Sequence, residues 1–326
     1  MTKINILFHL PKYVDTQLSG GECTARDFAE YLNSLPGYNV RVLCDKVAIN
    51  SLNGVELYAE NDPAAPIRHL YKWANVCFTH LGKQFKATNY ARDSKTPLII
   101  YMHNNNGSAL ARSRQEIAVI YNSYFTQRQL KNNKDKAFIN GNKSALIRPL
   151  LNLPNGNSKG KYVTIINLNE NKGGLLLRQI AEELPEVKFM GVVGGYAKQF
   201  LDQPENVTIV QPTEDMAEVY NKTALLICPS KYESYGRTAA EAIGFGVPVL
   251  YSSTNTAYEE VVGNAGEPVP VRDRVASWVM GVKWILNNLE HYKERTLKQK
   301  GYLLEQIKRD KLNFDKFIKS VTFEEK

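Results

Sequence analysis

Apolar, β-rich runs alternate along the whole chain with segments whose apolar positions recur at helical spacing. In the first half the runs are INILFHL (4–10), VRVLC (40–44), VCFTH (76–80), PLIIYMH (97–103), IAVIYNS (117–123) and ALIRPL (145–150). Between the first two, GECTARDFAEYLNSL (21–35) sets Phe28, Leu32 and Leu35 on one helical face. A Gly-, Asn-, Ser- and Pro-rich stretch without apolar periodicity, LPNGNSKGK (153–161), then interrupts the pattern. A second series follows: YVTIINL (162–168), VKFMGVVG (187–194), VTIVQ (207–211), ALLICPS (224–230) and VPVLYSS (247–253). From about residue 275 the chain reads as helical and charged, with Trp278, Trp284, Ile285 and Leu289 as apolar anchors.

Strand–helix alternation of this kind predicts parallel α/β sheets. The break predicts two domains, 1–152 and 153–326, with the C-terminal helix free to pack back on the N-terminal one. Two such domains in tandem predict a central cleft facing the C-terminal ends of both sheets, where open parallel sheets hold ligands. Catalytic motifs are therefore expected just after strands.

Composition narrows this modestly. The 326 residues suffice for two α/β domains, and 43% hydrophobic residues fit a globular core. No apolar run approaches the ~20 residues that span a bilayer. The first residues lack a small-residue cleavage site, and Cys23, Cys44, Cys77 and Cys228 lack metal-ligand spacing. Both features predict a cytoplasmic protein with reduced thiols. Charge says more. The chain carries +8 overall; residues 1–150 hold 19 of the 41 basic and 11 of the 33 acidic residues, leaving 22 of each in the remainder. The N-terminal half is expected to meet something anionic.

The most informative segment is ALLICPSKYESYGRTAAEAIGFGVPVLYSS (224–253). A strand ends at Pro229 and Ser230, a polar loop carries Glu233, and Gly236 opens a helix bearing Glu241. Backbone N–H groups of Tyr235, Gly236 and Arg237 at a helix start form an anion site, through unpaired donors and the helix dipole. Glu241 is suited to a ribose diol, and Glu233 to sugar hydroxyls.

Here the chain resembles the retaining GT-B glycosyltransferases, in particular glycosyltransferase family 4. Their hallmark is two glutamates separated by seven residues and followed by a Gly-x-Pro-Val turn, as in Glu233, Glu241 and Gly246-Val247-Pro248. The resemblance implies two Rossmann-like domains and a nucleotide-sugar donor, a UDP-sugar, with no further cofactor. It also implies Glu233 on the donor sugar, Glu241 on the ribose, and amides 235–237 on the distal phosphate. QLSGGE (17–22) resembles the family's glycine loop, with Gly20 and Gly21 facing the diphosphate. NLNENKGG (167–174) matches the family's Lys-Gly at Lys172 and Gly173, but Asn167 stands where an Arg is usual. That halves the cationic charge offered to the leaving diphosphate, and Arg237 is a candidate substitute. IYNSYFTQRQL (120–130) resembles the segment before the family's domain crossover. In the family a histidine after the strand matching PLIIYMH touches the donor sugar. His103 is thus the catalytic candidate, with Glu233 and Lys172, while His80 reads as structural. Thr213 and Glu214, after VTIVQ, are candidates for the nucleotide rim.

The resemblance further implies retention without a protein nucleophile. The acceptor hydroxyl attacks from the leaving-group face while the departing phosphate oxygen takes its proton, and the enzyme supplies positioning and electrostatic stabilisation. No Asp-x-Asp carboxylate pair occurs, so no metal site is expected.

In such enzymes the N-terminal domain holds the acceptor, and two clusters bear on it. HLGKQFKATNYARDSK (80–95) interleaves Lys83, Lys86, Arg92 and Lys95 with Phe85 and Tyr90, and Arg112 and Arg114 precede Arg128, Lys131, Lys134 and Lys136. DNA with an extruded, hydroxymethylated base is one reading. An anionic membrane surface carrying a lipid or lipopolysaccharide acceptor is the other. The weak apolar face of 80–95 tilts the balance towards DNA, and the compact Asn- and Lys-rich chain resembles phage base glucosylases in style, active in an infected host's cytoplasm. HNNNGSALARSR (103–114) would approach that acceptor. A dehydrogenase is disfavoured because no GxGxxG follows the first strand. An epimerase on the same scaffold, and a non-catalytic nucleotide-sugar or nucleic-acid binding protein, stay open.

Overall fold

The computed structural model describes residues 3–13, 19–104, 117–131, 143–194, 196–213 and 215–323. Contacts divide the chain into two compact units, Met1–Leu151 with Ile307–Lys326, and Asn152–Gln306. Counted over these units, the first carries 25 basic and 15 acidic residues and the second 16 and 18.

The first unit is built on an eight-stranded sheet. Its strands are β1 (Ile4–Leu10), β2 (Tyr38–Cys44), β3 (Ser51–Leu52), β4 (Val55–Ala59), β5 (Val76–Thr79), β6 (Leu98–Met102), β7 (Ile117–Tyr121) and β8 (Ser144–Leu146). They lie in the order β3-β4-β2-β1-β5-β6-β7-β8, with β3 antiparallel to β4 and the other pairs parallel. The continuous apolar runs follow from burial on both faces. Phe8 joins a core with Phe28 of α1 (Gly20–Asn33), whereas Leu7 faces α2 (Ile67–Trp73) and α3 (Gln84–Ser94) among Leu70, Tyr71 and Ala87. A fourth helix, α4 (Tyr124–Lys131), follows β7. Strand order reverses between β1 and β5, so the loops after these strands diverge around a natural binding crevice.

The second unit repeats the scheme. Strands β9 (Tyr162–Ile166), β10 (Phe189–Val192), β11 (Val207–Val210), β12 (Thr223–Cys228), β13 (Val249–Ser252) and β14 (Gly266–Val269) form a parallel sheet in the order β11-β10-β9-β12-β13-β14. Order reverses between β9 and β12. The helices are α5 (Gly174–Glu182), α6 (Met216–Asn221), α7 (Arg237–Gly244), α8 (Tyr258–Val262) and α9 (Val275–Asn287). The α/β class with two parallel sheets predicted from the alternating pattern is what forms.

The last helix, α10 (Leu289–Thr322), begins in the second unit and ends in the first. Its Phe314, Ile318 and Val321 complete the first unit's core, with the Phe314 ring 4.5 Å from that of Phe28. A buried ring of this kind is worth about 3–5 kcal/mol against truncation. Arg148 pairs with the buried Asp310 at 3.3 Å, and Tyr38 donates to Asp315 at 2.6 Å.

Two features depart from the sequence pattern. The β3–β4 hairpin turns at Asn53 and Gly54, with φ of 50° and 78°, the left-handed pair that a two-residue type I′ turn demands. The run at 145–150 yields only the short β8, because Pro149 has no N–H to extend the ladder.

Candidate functional site

In the second unit, the loops after β9 and β12 meet where the strand order reverses. After β9 the chain enters a 3-10 turn (Glu170–Lys172), capped by the Asn169 side chain accepting from the Lys172 amide at 2.9 Å. The turn aims Lys172 at the β12 loop. Its Nζ lies 2.5 Å from Glu233 Oε2 and 3.4 Å from Ser230 Oγ. Glu233 also accepts from the Ser234 amide at 3.1 Å and from the Tyr258 hydroxyl at 3.4 Å, while Ser230 and Tyr258 bond at 2.9 Å. Burial works against the Lys172 ammonium, but the Glu233 carboxylate outweighs it and raises the pKa above the ordinary lysine value. Burial alone would raise the Glu233 pKa; Lys172 and the Ser234 and Tyr235 amides reverse that and hold it below the carboxylate range. Both groups are charged at neutral pH, and both are about four-fifths shielded from water.

Arg272 knits the two loops together. It donates through Nε to the Pro229 carbonyl at 2.6 Å and through its guanidinium to the Glu170 carbonyl at 3.3 Å.

Just beyond Glu233, Gly236 caps α7 with φ of 101°, a left-handed conformation that favours glycine. A Cβ there would also stand 2.6 Å from the Tyr258 ring. Gly236→Ala is therefore expected to destabilise the second unit by about 2–3 kcal/mol. Urea denaturation monitored by circular dichroism would test this, and an unchanged midpoint would refute it. Tyr235 is buried at the loop's base. One turn into α7, Glu241 takes Arg237 Nε at 2.8 Å on one oxygen and the Tyr220 hydroxyl at 3.0 Å on the other.

Asn167 has a different local role. At φ of 72° its Oδ1 accepts from the Asn169 amide at 3.2 Å and Gln199 Nε2 at 3.1 Å, so it shapes the β9 loop and offers no charge. Arg237, the candidate substitute cation, is the partner of Glu241. Thr213 follows the edge strand β11, two places from β9, and accepts from the Asp215 amide at 3.1 Å, apart from the Lys172 cluster. Glu214 lies outside the described residues.

In the first unit, Gly20 and Gly21 open α1, whose start is closed by the Glu22 carboxylate accepting from the Ser19 amide at 2.8 Å. Gly21 lies against His103: a Cβ on it would stand 2.4 Å from Cε1 of the imidazole. At Gly20 a Cβ would meet nothing. His103 follows β6 and His80 follows β5, and His103 Nε2 is 3.0 Å from His80 Nδ1.

On the opposite face of the first unit's sheet, Lys83 is buried and pairs with Asp45 and Glu60. Its charge serves an interior network, not an exposed basic stripe. Glu60 also takes Lys86 at 2.9 Å and lies 3.5 Å from His9, which in turn bonds Tyr71 at 2.7 Å. Burial would raise the Glu60 pKa, but hydrogen bonds from Lys83 and Lys86 pull it down to about 2. The same burial lowers His9 to about 4. The outer face of α3 presents Phe85, Lys86 and Arg92, and α4 presents Arg128 and Lys131. Arg112, Arg114, Lys134 and Lys136 lie outside the described residues.

Sequence reading missed Tyr220, Tyr258 and Arg272. Each touches the site across the fold, and no local motif marks them. Among the described residues no group of three or more His, Cys, Asp or Glu is placed to hold a metal, and no helix is long and apolar enough to cross a membrane.

No curated protein gives a significant sequence match. The sucrose-phosphate synthase of Thermosynechococcus elongatus superposes with a TM-score of 0.77 at 14% identity, over 98% of this chain and 99% of that one. Anabaena HepE, solved with UDP and glucose, gives 0.76 at 13% over 97% and 100%. The pneumococcal O-GlcNAc transferase GtfA, solved with UDP and GlcNAc, gives 0.74 at 12% over 97% and 99%. The family model described as glycosyl transferases group 1 matches residues 161–288, the stretch that holds Lys172, Glu233 and Glu241. The chain therefore has the GT-B glycosyltransferase fold, with the group 1 signature on its second unit.

Proposed function

We propose that this chain is a glycosyltransferase that moves a sugar from a nucleoside-diphosphate donor, a UDP-sugar, to a hydroxyl acceptor with retention of configuration. The observation that carries the reading is the Lys172–Glu233 pair, held 2.5 Å apart at the strand-order reversal beside the start of α7. A fixed cation and the α7 amides meet a diphosphate, and Glu233 meets sugar hydroxyls. Glu241, with lone pairs beyond those taken by Arg237 and Tyr220, accepts the ribose diol. HepE and GtfA, solved with UDP, support the uridine donor. The acceptor hydroxyl attacks the anomeric carbon on the leaving-group face. As the bond to the diphosphate breaks, its oxygen takes the hydroxyl proton, so no protein nucleophile and no metal are required.

The acceptor reading rests on the first unit's excess of ten positive charges. A polyanion, DNA bearing hydroxymethylated bases, fits it, with contacts falling to exposed Lys86, Arg92, Arg128 and Lys131. The setting is the cytoplasm.

The test is transfer of labelled sugar from a panel of nucleotide sugars, with EDTA present, to hydroxymethylated duplex DNA and to anionic lipid vesicles. Product on DNA is expected, and Glu241→Ala should raise the donor KM by about 10–100-fold. Product on lipid alone would replace the DNA acceptor. Donor retained without turnover would make the chain a binding protein, and a strict Mn²⁺ requirement would overturn metal independence.

A further inference from the structure

We propose that Arg272 is a positioning residue for Lys172: by fastening the turn that carries the lysine to the end of β12, it sets where the ammonium stands against Glu233 and the donor. The effect on sugar transfer rests on the proposed function; the placement of Lys172 does not.

Arg272 lies in the connection between β14 and α9, and among the described residues it has no hydrogen bond or ion pair to Lys172 or Glu233. Its side chain is only 14% exposed. Nε and Nη2 form one edge of the planar guanidinium, and that edge takes two carbonyls, Pro229 at 2.6 Å and Glu170 at 3.3 Å. The two carbonyls belong to different loops. Pro229 follows β12 directly, whereas Glu170 opens the turn whose last residue is Lys172. The fork is itself aimed. Nη1 pairs with Asp273, and the main-chain carbonyl of Arg272 accepts from the indole of Trp278 at 2.7 Å, a fully buried ring of α9 in the second unit's core.

The joint is tight on its inner side. Gly173, at φ of 90°, closes the turn against Pro229, where a Cβ would stand 2.5 Å from the proline ring. On the outer side the Lys231 amide donates to the Asn171 carbonyl at 2.8 Å, and the exposed Lys231 and Glu170 side chains pair at 2.6 Å. An exposed pair fixes geometry weakly. The shielded fork is therefore the side-chain tie that keeps the turn at its height above β12. Lys172 meets Glu233 at 2.5 Å only while that height is kept. A small displacement of a charge that must face a developing oxyanion is costly to rate.

The experiment is 15N NMR of the lysine ammonium groups in the full chain at low temperature, with Lys172 assigned by its loss in Lys172→Ala. The wild type should show a resolved Lys172 signal, because Glu233 pairs with the ammonium and water is largely excluded. Arg272→Met removes the fork but keeps an apolar stem, and should broaden that signal away or move it onto those of exposed lysines. Arg272→Lys returns a point charge that cannot span both carbonyls as the fork does, and should recover the signal in part. Donor turnover supplies a second readout. Arg272→Met should lower kcat about tenfold with donor KM within about threefold, the mark of a misplaced charge. In the Lys172→Ala background the same change should alter kcat by less than about twofold, because the residue it positions is gone. A Lys172 signal unchanged in Arg272→Met, or in Arg272→Lys where the methionine variant does not fold, overturns the proposal. So does an equal loss of kcat in both backgrounds. The signal needs neither donor nor acceptor, so a chain without transfer activity refutes the proposed function and still tests the placement of Lys172.

Discussion

Replacing Lys172 with alanine should lower kcat by about 100–1,000-fold, the usual cost of removing one fixed charge from a developing oxyanion. The donor KM should change far less, because the diphosphate gains most of its extra negative charge as the sugar leaves. Lys172 suits this task because it is shielded, charged and aimed by a capped turn. Shielding strengthens its field relative to water. Its loss also strands Glu233, a carboxylate left without its cation beside an incoming dianion. The two effects can be separated. Lys172→Ala with Glu233→Ala should bind donor better than Lys172→Ala alone, a coupling visible in a double-mutant cycle. Steady-state kinetics with the donor found by screening provide the measurement. A Lys172→Ala enzyme with undiminished kcat would remove Lys172 from the mechanism.

The second large effect is acid sensitivity of the first unit. Burial lowers the His9 pKa to about 4, against partial opposition from Glu60, and lowers His80 in the same direction. The unfolded chain binds protons at these histidines near pH 6.5 while the folded one does not, so stability present above pH 6.5 is lost as pH falls towards 4. Glu60, pulled down to about 2, adds a second loss from pH 4.5 downward. His9 should cost about 2 kcal/mol by pH 5, at 1.36 kcal/mol per pH unit, and His80 acts in the same direction. Urea midpoints between pH 7.5 and 5 would show this as a steep decline, shallower in His9→Gln. A flat profile would mean the two rings are not held neutral.

Much of this molecule is legible along the chain, for identifiable reasons. Buried parallel strands must be apolar on both faces, which is why runs such as 4–10 and 162–168 stand out. Glu233, Gly236 and Glu241 are legible because one strand, one loop and one helix turn carry all three. What escaped reading depends on distant residues. Tyr258 reaches Glu233 from 25 positions away and Arg272 reaches Glu170 from 102. Lys83 reads as part of a surface stripe, yet β2 and the end of β4 bring Asp45 and Glu60 to it and draw it inward. Asn167 reads as a missing cation. Its left-handed backbone and the Gln199 contact give it a conformational task that composition does not reveal.

The path of α10 bears on how the chain matures. The first unit's core waits for Phe314, Ile318 and Val321, which a ribosome makes only after residues 152–306. At about 5–20 residues per second that delay is on the order of ten seconds. The inserted unit can thus finish folding before the one that precedes it, and during synthesis the earlier sheet stays exposed where Phe28 awaits its partner ring.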